Sequence, residues 1–212
     1  WLQTLRKMAR ANIIFTDDHI PMLDWMMLAN DTKLIQLWHA GAGYKASGYA
    51  RWGHMGAPAP FSCHRQYTYA IGESSNVAEF HAECFGINHE KVLVTGMPRL
   101  DKYLSNDYQE KTKSKLYEQY PICKDKKVIL FAPTFRGNDK ASAYYPCDLI
   151  DFEGLGDYCR KHSAVILFKL HPWISERISI PSEFSNCMQD AADYPFINDL
   201  FLITDVLITD YS

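Results

Sequence analysis

Short β-rich apolar runs alternate with helical patterns along this chain, and that alternation restricts the folds open to it. Parallel strands need crossover connections of a dozen or more residues, which helices usually supply. A first series has strands predicted at 11–16, 33–38, 67–71 and 91–95. A second series begins at Val128 and continues with strands at 164–170 and 206–209. We therefore predict an α/β chain with two Rossmann-like parallel-sheet domains.

A charged helix and turn separate the two series. Asn106 or Asp107 caps this helix, and Pro121 ends it. The predicted organisation is a first domain over 1–104, a linker helix and turn over 105–125, and a second domain over 126–212. Because the chain starts without Met and stops just after an apolar strand, we expect both domains to be partial.

The composition argues against several classes of protein. No apolar run approaches the ~18 residues that span a bilayer. The six cysteines are scattered, with no C-x-x-C and no short Cys/His cluster of zinc spacing. We therefore predict no metal site, and a reduced, cytosolic compartment is the simpler account of the cysteines.

Charge is distributed unevenly. Residues 32–72 contain no Asp or Glu but several Lys, Arg and His residues, which indicates an anionic ligand on that side. A solvated surface whose counter-charges come from elsewhere in the fold is an equal alternative. Nucleic acid is disfavoured as a partner, because the basic tract is short and the pI is about 6.2.

Two histidines stand where an apolar run becomes polar, His39 after 34–38 and His171 after 165–170. Ligands of open α/β sheets bind outside the carboxyl ends of the strands, so the pair predicts a cleft walled by two sheets. For either residue alone, a hydrogen-bonded histidine near a strand end is the alternative. Imidazole ordinarily titrates near pH 6.5, which suits His39 to general-base work, with Asp17 or Asp18 orienting its ring.

A glycine-rich loop follows the first histidine. Gly41 and Gly43 let backbone N–H groups approach an anion, and Lys45 adds a positive charge. The loop resembles neither the G-x-G-x-x-G nor the Walker signature. Taken without His39, it is a weak indication of an anion site.

Polar residues also follow the strands of the second series. Thr134, Arg136, Lys169 and His171 can all donate to phosphate oxygens. Asp210 to Ser212 follows the last strand, and Ser212 would lie near a helix N-terminus if a helix comes next. A plain capping turn is the alternative for these last three residues.

Taken together, five short elements resemble the CDP-glycerol glycerophosphotransferase family, the bacterial teichoic-acid primases and polymerases. In chain order they are W-H-A-G-A-G-Y-K at 38–45, G-M-P-R-L-D at 96–101, A-P-T-F-R at 132–136, K-L-H-P at 169–172 and I-T-D-Y-S at 208–212. The resemblance implies a GT-B-like architecture, in which an acceptor-side domain and a donor nucleotide-binding domain face each other across a cleft.

The resemblance also implies an activity. An alditol phosphate, glycerol or ribitol phosphate, would pass from a CDP-alditol to a hydroxyl of a lipid-linked or polymeric acceptor, with release of CMP. His39 would be the catalytic base, and Lys45, Gly41 and Gly43 would bind anions on the acceptor side. His171, Ser212, Arg136 and Thr134 would contact the donor pyrophosphate, while Asp210 organises that loop. We expect no cofactor and no obligatory metal.

Two other classes of function stay open on the sequence. One is a GT-B glycosyltransferase or an epimerase that uses a nucleotide sugar. The other is a non-catalytic module that binds an anionic polymer. For the transferase, we expect the intact protein to be cytoplasmic and peripheral on the inner face of the cell membrane, through regions outside this segment. Because the chain ends inside the last element, the segment alone is expected to be inactive.

Overall fold

The computed structural model of the chain describes residues 2–41, 46–54 and 56–210. The chain divides into two compact units, an N-terminal unit over Trp1–Asp101 and a C-terminal unit over Lys102–Ser212. Each unit contains one four-stranded sheet in which every strand pair is parallel. The predicted α/β fold with two Rossmann-like parallel sheets is therefore confirmed.

The sheet of the N-terminal unit has its strands in chain order. They are β1 (Ile13–Thr16), β2 (Lys33–Gln36), β3 (Tyr69–Gly72) and β4 (Val92–Val94), with helices α1 (Leu2–Met8) and α2 (Ser75–Phe85). Helix α2 ends where Gly86 adopts a left-handed conformation at φ +63°, which glycine tolerates without a Cβ clash. The core of this unit includes Leu34, Ala70 and Phe85, all fully buried.

The sheet of the C-terminal unit has the strand order β7-β6-β5-β8. Its elements are α3 (Asn106–Gln119), β5 (Lys127–Phe131), α4 (Phe152–His162), β6 (Ala164–Phe168), β7 (Met188–Asp190), α5 (Ile197–Leu200) and β8 (Val206–Ile208). Strands β6 and β7 are added in turn on one side of β5. The chain then crosses back and places β8 on the other side of β5. Ligands of doubly wound sheets bind at such a reversal, outside the carboxyl ends of the two strands that flank it, here β5 and β8.

Helix α3 is part of the C-terminal unit. Leu116, Tyr120 and Cys123 lie in one buried cluster with Val128 and Leu130 of β5. Residues 105–125, predicted as a linker, therefore pack as a layer of this unit, and the division falls after Asp101 instead of after residue 104. The buried residues of this charged helix, Thr112 and Leu116, lie four positions apart on one face, and burying that face draws the helix into the core.

The beginning of the C-terminal unit is held by a buried carboxylate. Asp199 accepts hydrogen bonds from the hydroxyls of Tyr103 at 2.7 Å, Tyr108 at 2.9 Å and Tyr194 at 3.1 Å. The Lys102 ammonium lies 3.9 Å from the same carboxylate. These bonds satisfy a charge that would otherwise be costly to bury.

All six cysteines are free thiols, and five of them are buried. Among the described residues, no helix has both the length and the apolar character needed to cross a lipid bilayer.

Candidate functional site

His39 lies at the carboxyl edge of the N-terminal sheet, three residues after β2. Strands β1 and β2 are parallel neighbours, so the chain leaving β1 passes beside it. The Nδ1 of His39 lies 2.6 Å from the backbone carbonyl oxygen of Asp17. Because a carbonyl can only accept, Nδ1 carries the proton and Nε2 is left with a lone pair. Asp17, one of the two residues predicted to orient the His39 ring, is therefore its partner. The contact is made by the backbone oxygen of Asp17 and not by its carboxylate.

Gln36, the last residue of β2, organises the backbone that leads to His39. Its buried amide nitrogen donates to the Asp18 carbonyl at 3.1 Å and to the Tyr67 hydroxyl at 2.7 Å. Its amide oxygen accepts from the Trp38 N–H at 2.9 Å. Trp38 is thereby held at φ +54°, a left-handed conformation that is uncommon for a bulky residue. Its indole ring stacks on the His39 ring with 4.8 Å between centroids.

His39 lines a cavity of about 410 Å³ within the N-terminal unit. Gly41, predicted to bind anions, also lines it, while Gly43 and Lys45 lie outside the described residues. His19, Arg51 and His64 contribute further polar side chains. Gly56 adopts φ +81°, a left-handed conformation that favours glycine, and the Arg51 guanidinium lies close against it. In the sequence, Arg51 is indicated only by its position within residues 32–72, which contain no Asp or Glu.

A hydrogen-bonded cluster lies beside this N-terminal cavity and includes His19, which lines it. His19 Nε2 lies 3.1 Å from the Asp24 carboxylate, which also accepts from the Cys63 N–H. Burial alone would raise the pKa of Asp24, but the bonds from Cys63 and His19 lower it overall. Ligand atoms of these three residues lie within 4.8 Å of one another, as a metal site requires. Burial raises the pKa of the Cys63 thiol to about 11, which disfavours the thiolate that a metal would need.

His64 is a buried neutral imidazole beside the same cavity. Its Nδ1 lies 2.9 Å from the Tyr67 hydroxyl, and its ring contacts that of His19 with 4.9 Å between centroids. Burial and the nearby His19 lower the pKa of His64 to about 4. His64 therefore supplies shape and hydrogen bonding at neutral pH, without a positive charge.

The C-terminal unit has its own cavity, of about 440 Å³, at the carboxyl edge of its sheet. Ala132 and Pro133 follow β5, Lys169 and His171 follow β6, and Thr209 follows β8. Apolar residues also line this cavity, among them Pro195, Ile197, Phe201 and Leu207. This is the place where the strand order reverses. A cavity lined by both polar and apolar residues is suited to a ligand that has both an anionic and an aromatic part.

His171 lines this C-terminal cavity, as its place after β6 predicts. Its Nδ1 accepts a hydrogen bond from the Trp173 N–H at 3.1 Å. Because Nδ1 is an acceptor there, a neutral His171 carries its proton on Nε2. The ring also packs against Phe135 and Trp173, with centroid distances of 4.9 Å and 5.5 Å. These contacts fix the orientation of the ring at the cavity.

Asp210 joins the chain that follows β8 to the chain that follows its neighbour β5. Its carboxylate accepts from the Thr134 N–H at 3.0 Å and from Arg136 Nη1 at 3.1 Å. The structure thus brings together three residues that the sequence placed 76 and 74 positions apart. Thr134 and Arg136 do not line the C-terminal cavity, and Ser212 lies outside the described residues. The predicted donor contacts of these three residues stay predictions.

Residues 2–212 match the sequence profile of a family described as CDP-Glycerol:Poly(glycerophosphate) glycerophosphotransferase. The chain belongs to this family. Among curated relatives, the ribitol-phosphate polymerase TarK of Staphylococcus aureus is 43% identical over 97% of the chain. A poly(ribitol-phosphate) polymerase of Bacillus spizizenii is 44% identical over 96% of the chain. By contrast, a poly(glycerol phosphate) polymerase of Bacillus subtilis is 29% identical.

The fold of this chain is similar to that of the wall teichoic acid polymerase TagF. The two superpose with a TM-score of 0.68 at 23% sequence identity, over 95% of this chain and 50% of that one. The chain covers 40% of the length of the Staphylococcus relative and 33% of that of the Bacillus spizizenii relative.

Proposed function

We propose that the protein carrying this chain transfers ribitol phosphate from CDP-ribitol to a hydroxyl at the end of a teichoic-acid-type polymer, releasing CMP. Membership of the family supports the reaction class. The preference for ribitol rests on the identities of 43% and 44% to two ribitol-phosphate polymerases, against 29% to a glycerol-phosphate polymerase. The observation that carries the mechanism is the His39 ring, which donates through Nδ1 to Asp17 and presents Nε2 as a proton acceptor at a cavity.

In the proposed reaction, His39 Nε2 removes the proton from the acceptor hydroxyl. The oxygen attacks the phosphorus that carries the ribitol, and the bond from that phosphorus to the bridging oxygen of the pyrophosphate breaks. The phosphodiester is formed, and CMP leaves with the electron pair of the broken bond. A positioned base of this kind contributes about 10²–10⁴ in rate.

The C-terminal cavity would hold the donor. His171 Nε2 would donate to the pyrophosphate, and Thr134 and Arg136 would stand at the edge of the site, tied there by Asp210. Donors held in place before reaction stabilise the charge that develops on the leaving CMP. In this proposal the chain uses no cofactor, and CDP-ribitol is a substrate.

We propose further that the protein works at the cytoplasmic face of the cell membrane, since a lipid-linked polymer would present its growing end there. Fractionation of cells with and without that polymer tests this location. Loss of the polymer should move the protein from the membrane fraction to the supernatant. An unchanged distribution would count against recruitment by the acceptor.

Turnover of the full-length protein with a panel of donors tests the reaction. CDP-ribitol, CDP-glycerol and a UDP-sugar are each supplied with a polymer acceptor, and the released nucleotide is quantified. We expect CMP from CDP-ribitol at a kcat/KM at least about tenfold above that for CDP-glycerol. Release of UDP without CMP would show a nucleotide-sugar enzyme, and acceptor binding with no release would show a polymer-binding module.

A further inference from the structure

Two short turns of the N-terminal unit bring together three side chains that can ligate a metal ion. One 3₁₀ turn spans Pro21–Asp24, and the other spans Cys63–Gln66. His19 Nε2, a carboxylate oxygen of Asp24 and the Sγ of Cys63 all lie within 4.8 Å of one another. No short spacing in the sequence marks this group, because Asp24 and Cys63 stand 39 positions apart and meet only in the folded unit.

Contacts between the two turns hold these side chains in place without a metal. The Cys63 N–H donates to the Asp24 carboxylate, and the Cys63 Sγ lies 3.8 Å from the Ile20 carbonyl oxygen. The side-chain amide of Gln66 donates to the Leu23 carbonyl at 3.3 Å. Because the backbone on both sides is fixed, the group is largely preformed, which lowers the entropic cost of binding an ion.

The separations between the three atoms are close to those of a tetrahedral zinc site. Bonds of about 2.0–2.3 Å to zinc put its ligand atoms roughly 3.3–3.8 Å apart. His19 Nε2 and the Asp24 carboxylate already lie 3.1 Å apart, so closing the group around an ion takes side-chain shifts of about 1 Å. A neutral His19 offers the necessary lone pair at Nε2 when its proton is on Nδ1.

The group lies beside the cavity that contains His39. His19 lines that cavity and has 29% of its side chain exposed, whereas Cys63 is fully buried. The neighbouring His64 ring lies 4.9 Å from that of His19, and burial lowers the pKa of His64 to about 4. His64 is therefore neutral at neutral pH and adds no positive charge that would repel a cation.

The thiol proton is the main cost of binding a metal here. Burial, and after it the charge of Asp24, raises the pKa of Cys63 to about 11, so the free thiolate is scarce at neutral pH. A thiol that coordinates a metal loses its proton nevertheless, because the charge of the ion replaces it. The sulfur–hydrogen bond breaks, the sulfur–metal bond forms, and the proton passes to solvent. Thiolate and imidazole ligands select zinc over magnesium or calcium, which prefer oxygen ligands.

We propose that His19, Asp24 and Cys63 form a binding site for Zn²⁺ beside the cavity of His39. The ion is not a cofactor of the proposed transfer, in which His39 is the base. Because His19 lines the cavity, zinc bound to it obstructs entry of the acceptor and inhibits the enzyme. The site itself does not depend on the proposed function, and only the inhibition rests on it.

Metal titration of the reduced full-length protein tests the site. Zn²⁺ binding is measured by calorimetry, and Co²⁺ serves as a spectroscopic probe of the ligands. We expect a Kd for Zn²⁺ of about 1 µM or below. With Co²⁺ we expect a thiolate-to-cobalt charge-transfer band and the intense visible bands of a tetrahedral ion. A cobalt spectrum without the thiolate band, or displacement of Co²⁺ by excess Mg²⁺, would overturn the proposal.

Cys63→Ala removes the sulfur and keeps the backbone N–H that donates to Asp24. It should weaken Zn²⁺ binding at least about 100-fold, more than the loss of a supporting contact does, and abolish the charge-transfer band. Cys84→Ala is the matched control, because Cys84 is another buried free thiol of the same unit, and its affinity should stay within about twofold of wild type. Equal affinities of Cys63→Ala and wild type would place the zinc elsewhere and overturn the proposal.

Asp24→Asn keeps the proposal testable if Cys63→Ala does not fold. The asparagine retains an oxygen for the Cys63 N–H but loses the negative charge that a cation attracts. We expect this variant to bind Zn²⁺ at least about tenfold more weakly than wild type. An unchanged affinity would show that Asp24 is not a ligand.

Turnover separates the metal site from the proposed function. Zn²⁺ should inhibit CMP release by wild type and spare Cys63→Ala, each compared with its own activity in the presence of a chelator. Zinc binding without inhibition of wild type would contradict the inhibitory role. If the cobalt spectrum forms but the metal-free protein transfers no alditol phosphate, the proposed function fails while the metal site stands. If transfer proceeds and neither ion binds, the site fails while the proposed function stands.

Discussion

The Nδ1–H of His39 donates to the backbone carbonyl of Asp17 across two neighbouring parallel strands, with 2.6 Å between the two atoms. A backbone carbonyl cannot take up a proton, so the bond sets the tautomer and the orientation of the ring without adding a second titrating group. The base of the proposed reaction is therefore positioned by the fold itself.

His39→Asn should remove catalysis and spare the fold. The asparagine amide can still donate toward Asp17 but cannot accept a proton at neutral pH, so kcat should fall by about 10²–10⁴. CDP affinity should stay within about twofold, because the base does not hold the donor in this mechanism. Steady-state kinetics with CDP-ribitol and calorimetry make the comparison. His89→Asn, at an exposed histidine before β4, is the control, and near-normal turnover by His39→Asn would refute the assignment of the base.

Gln36→Met should destabilise the N-terminal unit and lower turnover. The substitution leaves the Trp38 N–H without its acceptor and removes the donor to Asp18 and Tyr67, so we expect a loss of at least about 2 kcal/mol in unfolding free energy. Urea unfolding monitored by tryptophan fluorescence measures it. Gln3→Met, at an exposed position of α1, should change stability by less than about 0.5 kcal/mol. Equal effects of the two substitutions would contradict the role given to Gln36.

Asp210→Ala should loosen the junction of β5 and β8. It removes the acceptor of the Thr134 N–H and the partner of Arg136, and we expect a loss of about 1–3 kcal/mol in the unfolding free energy of the C-terminal unit. Asp210→Asn keeps an oxygen for the Thr134 N–H and should lose less. Chemical denaturation of both variants is compared with Asp157→Ala, which removes an exposed ion pair on α4. A loss for Asp210→Ala no larger than that of the control would show that Asp210 does not organise the junction.

His64 should make the N-terminal unit less stable as the pH falls. Its pKa of about 4 lies below the 6.5 of a free imidazole, so the unfolded chain binds the proton more tightly than the folded one. Stability is then complete above about pH 6.5 and is lost as the pH falls toward 4. Between pH 7 and pH 5 we expect a loss of about 2 kcal/mol from this residue.

Urea unfolding at the two pH values, in wild type and in His64→Asn, isolates this contribution. The substitution should abolish that part of the pH dependence, whereas His89→Asn should retain it. The same pH dependence in wild type and His64→Asn would mean that His64 is not the titrating group.

Local patterns predicted most of the elements. Helix α2 begins after Ser74 and ends at Gly86, as the serine-rich start and the glycine indicate. Strand β7 was not predicted, because its sequence M-Q-D lacks the β-branched apolar run that marks the equally short strands β4 and β8. The apolar side chain of Phe80 in α2 is 52% exposed, because the buried stripe of this helix runs through Ala78, His81 and Phe85.

The site residues divide in the same way. His39 and His171 follow strands whose ends are visible as abrupt changes from apolar to polar residues, and both line cavities. In the sequence, Gln36 is an ordinary residue at the end of a predicted strand. No local pattern predicts its hydrogen bonds to Asp18, Tyr67 and Trp38. In the sequence, Lys169 is one of several residues after predicted strands that can donate to phosphate oxygens. Its burial and the pairing of Arg177 with Asp190 and Asp193 depend on three separate segments meeting.

The sequence by itself determined the parallel α/β class, the family and the placing of two histidines at strand ends, because strand periodicity, turn residues and short motifs are local properties of a chain. Only the tertiary structure decided that a backbone carbonyl of Asp17 orients His39, that Asp210 joins Thr134 to Arg136, and that Lys169 is buried without a carboxylate partner among the described residues. Those relationships depend on strand order and register, which bring together atoms of residues up to 76 positions apart and exclude water from between them.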